Sequence, residues 1–137
     1  MRFLRDRTGT SAIEFAVLSP IFFLLMMGIL AYGIYFGASH SIQQIAADAA
    51  RAAVAGLSEE ERRSIAASYV SNHAGGYILV DPEKIAVDVE PTASDASAFA
   101  VSVSYDARQL PIWNLLSGLP LPDVTIARRS VIRMGGA

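Results

Sequence analysis

The feature that most constrains this chain is the stretch from Phe15 to Ser39, in which no residue is charged. A helix that crosses hydrocarbon needs about 20 predominantly apolar residues. Phe15 to Ala38, wound as a helix, reaches about 36 Å, enough to cross a bilayer with some tilt. A buried helix of a soluble domain keeps polar residues along at least one edge. Here only Ser19 and Ser39 interrupt the stretch. The reading is one membrane-spanning helix over about residues 15–38, with the lipid bilayer as its solvent.

A cleaved secretory signal is the competing reading. Its apolar region runs about 7–15 residues and ends at a small-residue site. Gly37-Ala38-Ser39 offers such a site, but the apolar run before it is too long. Arg2, Arg5 and Arg7 precede the span, and no Lys or Arg follows until Arg51. By the positive-inside rule the N-terminus is cytoplasmic and the C-terminal portion lies outside. Tyr32, Tyr35 and Phe36 stand near the outer end, where aromatic rings suit the interface. Two features bear on helix packing. Pro20 removes a backbone donor inside the span, which is either a harmless kink or a bend used in packing. Gly33 and Gly37 form a GxxxG, a spacing that lets a second helix approach closely but also arises by chance.

Past the span the chain changes character. His40 to Ala55 is alanine-rich, with Ile42, Ile45, Ala46, Ala49 and Ala53 at three- and four-residue spacing. The span therefore continues as an amphipathic stem that ends at Gly56. Ser58-Glu-Glu-Glu61 has the form of a capping box opening a second helix. Ile65, Ala66, Tyr69 and Val70 give that helix an apolar face, and Gly75-Gly76 closes it. Ile85, Val87 and Val89 then alternate with polar residues, as do Phe99, Val101, Val103 and Tyr105. These two runs predict an antiparallel hairpin around a polar turn, Thr92 to Ala98. A third strand is expected over Val124 to Met134, with Val124, Ile126, Ile132 and Met134 on one side and Arg129 and Arg133 on the other. The predicted fold is α+β: a long N-terminal membrane-spanning helix, its stem, then a short helix on a small antiparallel sheet of about three strands. An extracytoplasmic part of this size is marginal alone, so packing on the stem or on sister subunits is expected.

Candidate chemistry is sparse. The chain of 137 residues has no cysteine, which excludes disulfides, thiol catalysis and lipidation at cysteine. From residue 40 onward there are eight basic and eleven acidic side chains, so no large basic face is implied and nucleic acid is not an expected partner. His40 and His73 stand at no metal-ligand spacing. His40 reads as interfacial, and His73 as a surface residue near a helix end. Glu59 to Glu61 read as a solvated helix start, and Asp81, Glu83, Asp88 and Glu90 as a solvated rim. Neither a nucleophile motif nor a phosphate loop is present. No catalytic residue, metal site or cofactor is expected, and an envelope enzyme is the weakest of the readings.

One segment carries chemistry: Arg5-Asp-Arg-Thr-Gly9-Thr10-Ser-Ala-Ile-Glu14-Phe15. A short basic leader ends in glycine, and an acid stands five residues later at the lip of an uncharged helix. A carboxylate there is costly unless partnered, which makes Glu14 a functional candidate; the plainer reading leaves it among the headgroups. The segment resembles a type IV prepilin processing site. The resemblance implies cleavage after Gly9 by a membrane aspartyl prepilin peptidase, leaving a new ammonium on Thr10. It also implies that Glu14 meets the new N-terminus of a neighbouring subunit during assembly.

Residues 9–20, Gly-Thr-Ser-Ala-Ile-Glu-Phe-Ala-Val-Leu-Ser-Pro, are similar to the opening of TadE-like proteins. These are minor pilins or pseudopilins of the bacterial tight-adherence (Tad/Flp) pilus system. Glu14-Phe15 and Pro20 match that opening, the stem with Arg51 resembles the family's next helix, and Ala127 to Arg133 resembles its closing strand. The resemblance implies a leader at 1–9, an N-terminal helix at 10–56 and a small extracytoplasmic domain at 57–137. It further implies a bacterial inner-membrane location, with other pilin and pseudopilin subunits and the inner-membrane assembly platform as partners. The extra globular part favours a minor subunit over the main fibre subunit. The alternative is an uncleaved single-span anchor that presents an extracytoplasmic protein-binding module.

Overall fold

Span and stem form one continuous helix, α1 (Thr8–Ala53), 46 residues long and so about 69 Å from end to end. The computed structural model describes residues 8–115 and 118–134, so all but the end of the expected leader, Arg2, Arg5 and Arg7 included, falls outside the described residues. The two halves of α1 meet different surroundings. From Gly9 to Leu30 its side chains are exposed or half-exposed. From Ala31 onward a stripe is buried: Ala31, Ala38, Ile42, Ile45, Ala46, Ala49, Ala50 and Ala53. The stripe follows helical spacing, and its alanines let neighbouring elements approach the helix axis.

Three residues after α1 ends, the Gly56 N–H donates to the Ala53 carbonyl at 3.0 Å. The second helix, α2 (Glu59–His73), then folds back against α1. Its start is a variant of the expected capping box. Ser58 Oγ accepts from the Glu61 N–H at 3.2 Å, but Glu61 Oε2 accepts from the Leu57 N–H at 2.8 Å, one residue before the cap. Ala66 and Val70 are buried. A short 3-10 turn, Ala74–Gly76, follows.

The sheet has three antiparallel strands in the order β1 (Ile85–Thr92), β2 (Asp95–Asp106), β3 (Thr125–Arg133). Val87 pairs with Val103, Val89 with Val101, and Tyr105 with Ile126. With period-two alternation these residues share one face. That face carries α1 across β2 and β3, and α2 across β1. Fully buried Ile42 and Ile45 from α1 meet Val89, Val101, Val103 and Ile126 from the sheet. Each such side chain contributes about 1.5–3 kcal/mol relative to exposure.

The hairpin turn is tighter than the expected polar loop over 92–98, because β2 already begins at Asp95. Asp95 Oδ1 accepts from the Ser97 N–H at 2.9 Å, and Asp95 Oδ2 pairs with Arg133 at 3.0 Å across the sheet. The bonds from Ser97, with Arg133 adding to them, hold the Asp95 carboxyl below its usual range. The ladder absorbs the tighter turn as a register shift between Pro91 and Thr92.

The connection from β2 to β3 sets the shape of the other end. Arg108 wraps back on Asp106, and its guanidinium and N–H hold that carboxyl down at about 2. Trp113 Nε1 donates to the Ala107 carbonyl at 2.9 Å, and Ile112 is fully buried. The chain then runs alongside α1 before β3 begins.

Candidate functional site

Every residue singled out for processing or assembly lies on α1. Gly9 and Thr10 occupy its first turn, where backbone N–H groups have no intrahelical acceptor. The Gly9–Thr10 peptide can therefore be drawn out extended at the loss of few hydrogen bonds. Gly9 adds little helix propensity to resist this, and a β-carbon there would meet nothing within 4 Å.

Glu14 follows Thr10 by four residues, which places the two on one face, one turn apart. It is exposed, and it is the one charged residue between Thr8 and Asp48. Phe15 opens a shallow apolar groove lined by Phe15, Leu18, Ser19, Phe22 and Phe23. The rings of Phe22 and Phe23 meet edge to face, with centroids 6.0 Å apart. Pro20 lies beside this groove, and α1 continues through it. Its missing N–H leaves the Ala16 carbonyl without its helical donor.

The two glycines of the GxxxG have different surroundings. Gly33 is open, with nothing within 4 Å of a β-carbon built on it. Gly37 is covered by this chain's own Leu79, whose Cδ1 would lie 3.4 Å from such a carbon. Leu79 has φ 68°, a left-handed conformation that is costly for a leucine. Tyr105 braces that turn, accepting from the Asp81 N–H at 3.4 Å.

Contacts lower on α1 were not anticipated from the sequence. Leu119 Cδ1 would lie 3.0 Å from a β-carbon on Gly28. Tyr32 donates its hydroxyl to the Pro120 carbonyl at 2.5 Å. The globular part thus reaches down the helix to Gly28, inside the stretch expected to cross the membrane. The available signal was a second uncharged run, Leu110 to Pro122, rich in leucine and proline. Composition alone does not say which element such a run lies on.

The stem is held by a polar cluster outside the core. Tyr77 donates to Asp48 Oδ2 at 3.1 Å, and Asp48 Oδ1 accepts from Arg51. Partial burial, and then the bond to Asp48, push the Tyr77 hydroxyl up to about 12. On the far side Arg63 ties α2 to β1, donating to the Val89 carbonyl at 3.1 Å and lying 3.2 Å from Glu59. A cavity of about 90 Å³ between α2 and the hairpin is lined by Arg62, Glu90, Phe99 and Met134, among others, with the Arg62 guanidinium 5.4 Å from the Phe99 ring centre. Among the described residues, no three His, Cys, Asp or Glu side chains are grouped to hold a metal ion.

Among the described residues, α1 is the one helix long and apolar enough to cross a membrane. That is compatible with a single-pass membrane protein. Comparison with curated proteins and with solved structures gave no match. The exposed apolar half of α1, Glu14, Pro20 and the stem as far as Arg51 together match a family model: residues 9–51 are similar to the TadE-like protein family.

Proposed function

We propose that this chain is a processed minor pilin or pseudopilin of a Tad-type pilus, cut after Gly9 by a prepilin peptidase. The observation that carries the reading is the TadE-like helix itself. It presents an exposed apolar surface from Gly9 to Leu30 interrupted by a single carboxylate, Glu14. Cleavage would leave an ammonium on Thr10 at the N-terminus of α1, where the helix dipole disfavours positive charge. Glu14, one turn away on the same face, offsets that charge within its own subunit or from a neighbour. In an apolar setting the attraction is strong, although desolvation of both groups opposes it. Neighbouring subunits would bury the exposed apolar half of α1, with Phe15 and the groove beside Pro20 as part of that contact. The stem and sheet would stand outside the inner membrane as a head.

Intact-mass measurement of membrane-extracted protein tests the processing step. The expected mature N-terminus is Thr10 in cells that contain the peptidase. Retention of residues 1–9 would instead favour an uncleaved anchor that presents a binding module. Glu14→Ala is expected to leave cleavage intact and to reduce piliation and surface adherence. Normal piliation in that variant would remove the assembly role given to Glu14.

A further inference from the structure

We infer that the loop preceding β3, at Leu119 to Leu121, is a second membrane contact that enters the outer leaflet beside α1. The inference rests on α1 being a membrane span and goes beyond it. Three observations carry it. First, the loop lies against Gly28 and Tyr32, within the uncharged run of α1, so whatever medium surrounds α1 there surrounds the loop as well. Second, Leu121, which directly follows the Pro120 held by Tyr32, is 63% exposed. Third, no charge occurs from Leu110 to Pro122, and charge resumes at Asp123 on the approach to β3.

The backbone chemistry agrees with this placement. Irregular chain in hydrocarbon is costly because its N–H and C=O groups lack partners. This loop lowers that cost in two ways. Pro120 and Pro122 have no N–H to satisfy, and the Pro120 carbonyl already accepts from Tyr32. The occupant we assign to the exposed face of Leu121 is lipid, because Leu119, two residues before it, shares an apolar groove with Leu24, Leu25, Gly28 and Ile29 of α1, where Ile29 is itself exposed. Ile78, 82% exposed, lies beside Leu79, which covers Gly37, nine residues or about 13 Å higher along the helix, where headgroups would lie. The hydrocarbon-embedded part of α1 then ends near Leu30 rather than Ala38. About 20 residues below Leu30 the helix has reached Ser11, and Glu14 lies inside the bilayer rather than at its lip.

The absence of native cysteine permits single-site labelling of the full chain, reconstituted in phosphatidylethanolamine and phosphatidylglycerol vesicles. Nitroxides are placed at Leu121→Cys, at Phe22→Cys as the test of the span, and at Ser94→Cys in the hairpin turn at the far end of the sheet. Collision with oxygen is compared with collision with a water-soluble nickel chelate. The expected result is oxygen-dominated relaxation at both 22 and 121 and nickel-dominated relaxation at 94. Nickel-dominated relaxation at 121 with oxygen-dominated relaxation at 22 overturns the inference and leaves the span intact. An immobilised label at 121, shielded from both relaxants, overturns it in favour of a second copy covering the loop. Nickel-dominated relaxation at 22 removes the span itself, and the inference with it.

Discussion

The hydroxyl of Tyr32, about three helical turns before Ile42, the stem's first buried isoleucine, donates to the carbonyl of Pro120 at 2.5 Å, joining residues 88 positions apart in the chain. This bond fastens the loop before β3 to α1. Tyr32→Phe is expected to cost about 0.5–1.5 kcal/mol, the usual net value of one such bond. The loss should be local: hydrogen exchange at the Leu119 and Leu121 amides should quicken, while the amides of β2 keep their protection. Unchanged exchange at both amides would show that the bond does not hold the loop.

Gly56 is required by close approach. A β-carbon there would lie 2.8 Å from the Arg62 backbone nitrogen and 2.7 Å from Arg62 Cγ. The obstacle includes backbone, so the start of α2 must move to admit even a methyl group. Gly56→Ala is expected to destabilise the full chain in detergent by about 1–3 kcal/mol, the range for overpacking. Gly76→Ala, where a β-carbon would meet nothing within 4 Å, should change stability by less than about 0.5 kcal/mol. Equal denaturation midpoints for the two variants would refute the argument.

Two positions on the buried stripe of α1 are expected to respond in opposite directions. Ile45 is fully buried, and Ile45→Ala should cost about 2–5 kcal/mol through lost burial and a residual cavity. Ser39 is 4% exposed, and among the described residues its Oγ has no hydrogen-bond partner. Ser39→Ala removes an unsatisfied buried hydroxyl and should raise stability by about 1 kcal/mol. Chemical denaturation of both variants in one detergent reads both signs.

The Tyr77 hydroxyl gives an alkaline signature. Its folded-state value, about 12, is raised above the ordinary tyrosine value of 10.0 by partial burial and by the bond to Asp48. The folded state therefore holds this proton more tightly than the unfolded state does. Its contribution is complete below pH 10.0 and is lost as pH rises through about 12. Tyr77→Phe should flatten that part of the stability profile. An identical alkaline decline in the variant would assign the loss to other groups.

Much of the fold was legible because it is written in local periodicity. The charge-free run marked α1, three- and four-residue spacing marked the stem, and period-two alternation marked β1, β2 and the two sides of β3. That Glu14 and Pro20 lie on one helix was legible for a similar reason. The alternation of β2 was visible from Phe99, but its start at Asp95 was not, because that depends on Asp95 pairing with Thr92 after the register shift in the ladder.

The sequence by itself determined that there is one long apolar helix, where its single carboxylate lies, and that a small α+β part follows. Those properties depend on composition and on residues a turn or less apart. Only the tertiary structure decided how far that part descends along the helix. Leu119 against Gly28, Pro120 beneath the Tyr32 hydroxyl and Leu79 over Gly37 each join residues dozens of positions apart. No local pattern encodes such pairs, since they arise only when strand register and helix packing bring one end of the sheet down beside α1.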